Sequence, residues 1–270
     1  MSGDPPTAGR APGAARYTHG HHASVLRSHR QRTAENSAAY LLPHLRAGMS
    51  LLDVGCGPGT ITTDLAERVA PGAVVALDST LEVGRLVAGV PFVAADLFAL
   101  PHGDRVFDVV HAHQVLQHVA DPAGALGEMG RVCRSGGLVA ARDGDYGAMT
   151  WYPDVPELHR WLELYRRVAR ANGGEPDAGR RLSAWARAAG YDEVRVSASA
   201  WCFASREDRR WWAETWAQRV STSALGDRAL ELGLADRAEL SELAAGWLRW
   251  ADEPDGWFAV LHGEVLCRAG

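Results

Sequence analysis

The stretch Leu51-Leu52-Asp53-Val54-Gly55-Cys56-Gly57-Pro58-Gly59-Thr60 constrains this 270-residue chain more than any other. A short apolar run ends in closely spaced glycines. It opens a segment in which Ile61, Leu65 and Val69 share one helical stripe. A strand that ends in this way brings bare backbone close to a ligand at a helix N-terminus, because no Cβ intervenes. The dinucleotide pattern G-x-G-x-x-G fails in both frames. Its third position is Thr60 when counted from Gly55 and Thr62 when counted from Gly57. The pattern present is D-x-G-x-G-x-G, with Asp53 two residues before the first glycine. An acid there repels a pyrophosphate and suits an ammonium group.

Strand and helix signals alternate from that point. Residues 73–77 read as a second strand ending in Asp78, 92–95 as a third ending in Asp96, 106–110 as a fourth and 137–141 as a fifth, with a helix over 121–132. Such alternation predicts an α/β fold with a mostly parallel sheet covered by helices on both faces. Asp78 is placed to accept from ribose hydroxyls and Asp96 from an adenine amino group. Three successive strand ends thus offer acids to a cationic, adenosine-bearing ligand.

The texture changes after residue 150, and all ten tryptophans lie at or beyond Trp151. Helices are expected over 154–171, 177–188, 206–220 and 235–250, and strands over 194–203 and 257–267. Residues 151–250 are therefore expected to supply a helical cap. Residues 1–16, rich in proline, glycine and alanine, read as a flexible tail. Residues 17–270 read as one domain that begins with lid helices over 17–46, the second containing Ser37 to Leu42.

All 28 basic residues are arginine, so no lysine is present for a Schiff base or a phosphate loop. A net charge of −5 without a long basic run argues against a nucleic-acid partner. No run of about 18 apolar residues suggests a membrane span. Cys56, Cys133, Cys202 and Cys267 form no C-x-x-C pair and read as reduced thiols of a cytoplasmic protein. His111, His113 and His118 form H-x-H-x4-H. The strand puts the first two on one face and the third in the next element, so no metal is expected.

The glycine loop, together with Val74-Val75-Ala76-Leu77-Asp78-Ser79, Ala94-Ala95-Asp96-Leu97, Phe107-Asp108-Val109-Val110 and Arg131-Val132-Cys133-Arg134-Ser135-Gly136-Gly137, resembles the class I S-adenosylmethionine-dependent methyltransferases. The similarity is to the ubiquinone/menaquinone-biosynthesis branch and covers roughly residues 17–145 and the last strand. It implies a Rossmann-like seven-stranded sheet whose last strand runs antiparallel, adenosylmethionine as cofactor, and an N-terminal lid. On this resemblance the cofactor candidates are Asp53, Gly55, Cys56, Gly57, Gly59, Thr60, Asp78, Ser79, Asp96, Leu97, His113, Gln114, His118 and His22. Ala76 stands where many relatives have glycine, with little effect expected.

The Tyr-x-His-x-His-His run from Tyr17 to His22 and the segment Arg142-Asp143-Gly144-Asp145-Tyr146 are similar to those of bacterial natural-product methyltransferases, including indole C3-methylating ones. The expected reaction is methyl transfer to a small aromatic or heteroaromatic metabolite, with carbon methylation of an indole-type ring as the specific expectation and O- or N-methylation as the alternative. Transfer from a sulfonium needs alignment and, for an indole, a weak base at most, so no stringent catalytic motif is expected. His113, Tyr17 and Asp143 are the candidates for that base, and Trp151, Tyr152 and Tyr146 for the substrate wall. A nicotinamide-dependent reductase or a non-catalytic cofactor-binding protein are the readings from other classes.

Overall fold

The computed structural model describes Thr18 and residues 31–270. The sheet is built from β1 (Leu51–Val54), β2 (Val74–Asp78), β3 (Phe92–Ala94), β4 (Phe107–His113), β5 (Cys133–Gly144), β6 (Thr150–Tyr152), β7 (Val194–Phe203) and β8 (Trp257–Arg268). The order along it is β3-β2-β1-β4-β5-β8, with β7 on the far side of β8. The first five strands run parallel, whereas β8 runs antiparallel to both β5 and β7. This is the expected seven-stranded arrangement, with β6 continuing the β5 edge along the start of β8.

Alternation along the central strands sorts the core into two layers. Leu51, Val109 and Ala140 face α1 (Ala34–Ser37) and α2 (Thr60–Val69), where Ala34, Ile61, Leu65 and Val69 meet them. Leu52, Val110 and Val139 face the other way, onto Leu126 and Met129 of α4 (Pro122–Val132) and Leu182 and Ala186 of α6 (Leu182–Ala188). A short α3 (Leu81–Gly84) follows β2.

A third apolar cluster forms the cap. It joins α5 (Pro156–Ala171), α7 (Arg206–Thr222), α8 (Ala224–Glu231) and α9 (Arg237–Asp252) around Trp161, Trp216, Trp247, Trp250 and Phe258. On α5 the buried residues Leu158, Trp161, Tyr165 and Val168 recur at helical spacing. Ser205 and Asp236 cap the starts of α7 and α9 by accepting from the backbone N–H of Asp208 and Glu239. Strand β8 links the two regions. Its start, with Phe258, belongs to the cap, and Val265 and Cys267 belong to the sheet core.

Three details differ from the sequence expectations. The helix expected through Leu42 ends at Ser37, because Ala38 leaves helical geometry and Pro43 cannot continue the ladder. The fourth and fifth strands are longer than their apolar runs, since His111, His113, Arg142 and Asp143 are buried strand residues. Segment α8 is a separate helix capped by Ser223. No helix among the described residues is long and apolar enough to cross a membrane.

Candidate functional site

The carboxyl ends of β1, β2 and β4 open on a cavity of about 1050 Å³ that extends to β7 and α7. The glycine loop forms one wall. Gly55 and Gly59 have φ of 67° and 80°, the left-handed region open to glycine. A Cβ on Gly55 would also run into the Val115 side chain. Asp53 lies under this loop with both carboxylate oxygens engaged. Nδ1 of His111 donates to Oδ1 at 2.7 Å and the hydroxyl of Thr62 donates to Oδ2 at 2.5 Å. Asp53 therefore ties β1 to β4 and to the first turn of α2, and lends the cavity floor its charge.

Asp78 accepts from the backbone N–H of Gly57 (3.1 Å) and of Ser79 (2.7 Å), which braces the loop against the end of β2. Asp96 is exposed after β3, where its Oδ1 accepts from the Phe98 N–H at 2.9 Å. Burial, with Asp53 and Asp78 adding to it, pushes the Cys56 thiol far up and keeps it protonated. Of the expected cofactor residues, Asp53, Gly55, Cys56, Gly57, Thr60, Asp78, Ser79, Asp96, Leu97, His113, Gln114 and His118 all line this cavity. Gly59 is buried beside it, where it begins α2. Tyr17 and His22 lie outside the described residues.

The other end of the cavity is aromatic. Trp201 and Phe203 of β7, Trp211 and Trp212 of α7, Tyr146 and Met149 line it. Phe203 stacks on Trp212 with ring centres 4.3 Å apart, and Tyr146 stacks on Tyr165 at 4.0 Å. His113 reaches this end from β4. Its ring is 5.8 Å from Trp201, and neither of its nitrogens has a protein hydrogen-bond partner. Burial, then the charges of Arg32 and Arg142, push His113 well below the usual imidazole range, so it is neutral with one donor and one acceptor.

A polar chain sets the neighbouring groups. Nδ1–H of His262 donates to the Val260 carbonyl (3.0 Å), so its Nε2 accepts from the Gln114 amide at 2.9 Å. The Gln114 oxygen is thereby left to accept from Arg32 at 2.7 Å. Gln114 sits at φ 54°, a costly conformation for a residue with a Cβ and one found at functional sites. The Gln117 oxygen accepts from the Gly144 N–H (3.2 Å), which turns its NH2 to Nε2 of His118 (2.9 Å). His118 is pushed down to about 3 by burial and by Arg32 and Arg219.

Several expected residues are not brought to the cavity. Asp143, on β5, is fully buried outside the cavity lining and accepts from the Gln117 N–H at 3.1 Å, and burial raises its pKa to about 7. Asp145 is likewise buried and held by the Arg180 guanidinium at 2.6 Å. Trp151 stacks on Phe258 at 5.7 Å and Tyr152 is exposed, because β6 pairs them with β8 away from the site. Tyr146 alone of the proposed substrate wall lines the cavity. Sequence reasoning missed Trp201, Phe203, Trp211, Trp212 and Arg219. The alternation Trp201-x-Phe203 on a predicted strand was the available signal.

Comparison with known proteins adds four findings. Residues 52–141 match the family model described as a methyltransferase domain. An uncharacterized methyltransferase of Schizosaccharomyces pombe is 32% identical over 267 residues, which span 93% of this chain and 95% of that protein. A demethylmenaquinone methyltransferase of Roseiflexus castenholzii is 37% identical over 140 residues, 47% of this chain and 56% of that protein. Among solved structures, the YcgJ protein from Bacillus subtilis superposes with a TM-score of 0.55 at 18% identity, over 87% of this chain and 100% of that one.

Proposed function

We propose that this chain, which belongs to the class I S-adenosylmethionine-dependent methyltransferases, methylates a flat aromatic or heteroaromatic metabolite, and that its specific reaction is carbon methylation of an indole-type ring. It is an enzyme that uses S-adenosyl-L-methionine and acts on a small molecule. The observation that carries the finer reading is the two-ended cavity. Its about 1050 Å³ stands at the upper end of the roughly 300–1,000 Å³ range of ligand pockets, and the end away from the glycine loop is walled by Trp201, Phe203 and Trp212. The partial match to a demethylmenaquinone methyltransferase agrees with a place in the quinone-biosynthesis branch.

The residues present fit the cofactor. Carboxylates stand at adjacent strand ends and the loop backbone is open. Asp78 would hold the ribose hydroxyls, Asp96 the adenine amino group, and the loop with Asp53 the amino-acid end. When bound, the cofactor supplies a methyl group activated on sulfonium. The chain's own residues then align the acceptor and exclude water. Trp201, Phe203 and Trp212 fix the ring plane, and such faces also favour a nearby cation. His113, neutral and without a protein partner, accepts the ring N–H and holds the acceptor atom in line. Its lowered basicity suits this positioning task and the removal of a proton that becomes acidic only as the ring gains charge.

The test is to incubate the protein with adenosylmethionine carrying an isotope-labelled methyl group and a panel of indoles, phenols and aliphatic alcohols. Label on an indole ring carbon is expected. Label on ring nitrogen or oxygen alone would replace carbon methylation by the N- or O-reaction. Label confined to aliphatic acceptors would overturn the aromatic reading.

A further inference from the structure

Arg142 is buried on β5, and the proposed reaction makes no use of its charge. It stands in a row of direct cross-strand neighbours that runs from His113 on β4 through Arg142 on β5 and Glu264 on β8 to Ser197 on β7. Side chains in such a row share one face of the sheet. By the alternation along β7, Ser199 and Trp201 share that face too. A buried ion pair therefore lies between the imidazole and one indole of the cavity's aromatic end.

Glu264 fixes the direction of the guanidinium. Its Oε1 accepts from Nε of Arg142 at 3.3 Å and from the Ser199 hydroxyl at 2.5 Å, and its Oε2 accepts from the Ser197 hydroxyl at 2.6 Å. Nε of Arg142 also donates to the Ser199 oxygen at 3.1 Å. The group is thus held along its Nε edge, and its carbon lies over the Trp201 ring, 5.1 Å from the ring centre. Trp201 has two further supports. Its indole N–H donates to the Asn36 carbonyl at 2.7 Å, and the His262 ring packs on it at 4.4 Å.

Stability does not account for this arrangement. Apolar residues of similar volume often hold a fold as well as a buried ion pair does, because both charges lose their water. Here Nη1 and Nη2 of Arg142 have no hydrogen-bond acceptor, which adds to the cost. Burial lowers the Arg142 pKa to about 10, so the group stays charged at neutral pH. What it does supply is a flat cation against the face of a cavity-lining ring, a contact that a guanidinium makes and an ammonium does not reproduce.

Resting on the aromatic reading of the cavity, we infer that Arg142, oriented by Glu264, is a positioning residue for the acceptor: its planar guanidinium sets the Trp201 ring at the angle at which that ring meets the substrate. Arg142 is not part of the cavity wall, so it acts through Trp201.

The experiment compares the unaltered protein with Arg142→Lys, which keeps the charge beside Glu264 and removes the plane. Calorimetric titration of the adenosylhomocysteine-loaded protein with indole should show binding at least about fivefold weaker in the variant. The affinity for adenosylhomocysteine itself should stay within about twofold. Without any acceptor, the Trp201 indole N–H resonance, assigned by its loss in Trp201→Phe, should shift or broaden in Arg142→Lys. Should that variant fail to fold, the double variant Arg142→Met and Glu264→Met removes both charges at similar volume, and the same losses are expected of it. Indole bound as tightly as by the unaltered protein, with the Trp201 resonance unmoved, overturns the inference and leaves the aromatic reading intact. Equal weakening of indole and adenosylhomocysteine overturns it as well, since that marks a general loss of structure. If indole fails to bind the unaltered protein while adenosylhomocysteine binds, the aromatic reading falls and takes this inference with it.

Discussion

The glycine-loop half and the aromatic half of the cavity are built on different principles. The first is made at the ends of adjacent parallel strands, so Asp53 and Asp78 fall side by side because β1 pairs with β2. Its polar groups are already bonded to one another, as in His111–Asp53–Thr62 and Asp78–Gly57, so backbone and side chains fix each other before any ligand arrives. The second half draws Trp201 and Phe203 from β7, Trp212 from α7 and Tyr146 from the turn after β5, and is held by apolar packing. Among the described residues, the indole N–H groups of Trp211 and Trp212 there have no acceptor. On the proposed function, a ligand common to many enzymes is met by short-range, pre-bonded geometry, and a particular acceptor is met by a packed wall assembled from distant parts of the chain.

If the halves are separable in this sense, the largest effect should come from the cap core. Trp247 is fully buried against Trp161 and Phe258 and lies outside the cavity lining. Trp247→Ala is expected to cost about 3–5 kcal/mol of stability. Chemical denaturation checks this, and adenosylhomocysteine binding to the folded fraction should be retained. A matched pair sharpens the comparison further. Asp78→Ala should weaken adenosylhomocysteine by roughly 2 kcal/mol, a loss of about thirtyfold, through the charge-assisted bonds and the loop brace it removes. Trp201→Ala should weaken indole binding by about 1–2 kcal/mol and leave the cofactor's affinity near its original value. Equal loss of both ligands in either variant would show that the halves act as one unit.

The contrast also explains what could be read from the sequence. Asp53, Asp78, Asp96 and the glycine loop were legible because the ends of short strands and the turns after them lie within a few residues of their motifs. The parallel sheet followed from the same alternation, and the antiparallel last strand from the resemblance. The proposed acceptor wall was not legible. Trp212 and Trp216 both fall in the helix expected over 206–220 and both join the cap core, yet Trp212 also lines the cavity. Trp151 and Tyr152 follow β5 closely in sequence, but pairing of β6 with β8 carries them away from the site. Asp143 and Arg142 are neighbours in a strand, so their side chains take opposite faces: Arg142 backs Trp201 and Asp143 holds the turn that carries His118.

Asp143 gives a pH-dependent prediction. Burial raises its folded pKa from 3.8 to about 7. The folded protein therefore binds this proton more tightly than the unfolded chain does. The associated stability is fully present below about pH 4 and is lost as the pH climbs to about 7. Asp143→Asn should raise the melting temperature at pH 8 by several degrees, with little change near pH 4, as scanning calorimetry would record. Greater stabilisation on the acid side would contradict the assignment. The smallest effect is expected at the surface, where Arg68 and Glu35 pair at 2.6 Å with both side chains exposed. Arg68→Ala should change stability by no more than about 0.5 kcal/mol in denaturant unfolding, and less in high salt.

The central claim is that one cavity holds two molecules, a cofactor at the acidic end and a flat acceptor at the aromatic end. It is tested most directly by titrating indole-ring ligands into the protein with and without saturating adenosylhomocysteine. The account predicts a ternary complex, with one ring ligand per chain binding at least as tightly when adenosylhomocysteine is present. Mutually exclusive binding, in which adenosylhomocysteine displaces the ring ligand, would contradict it.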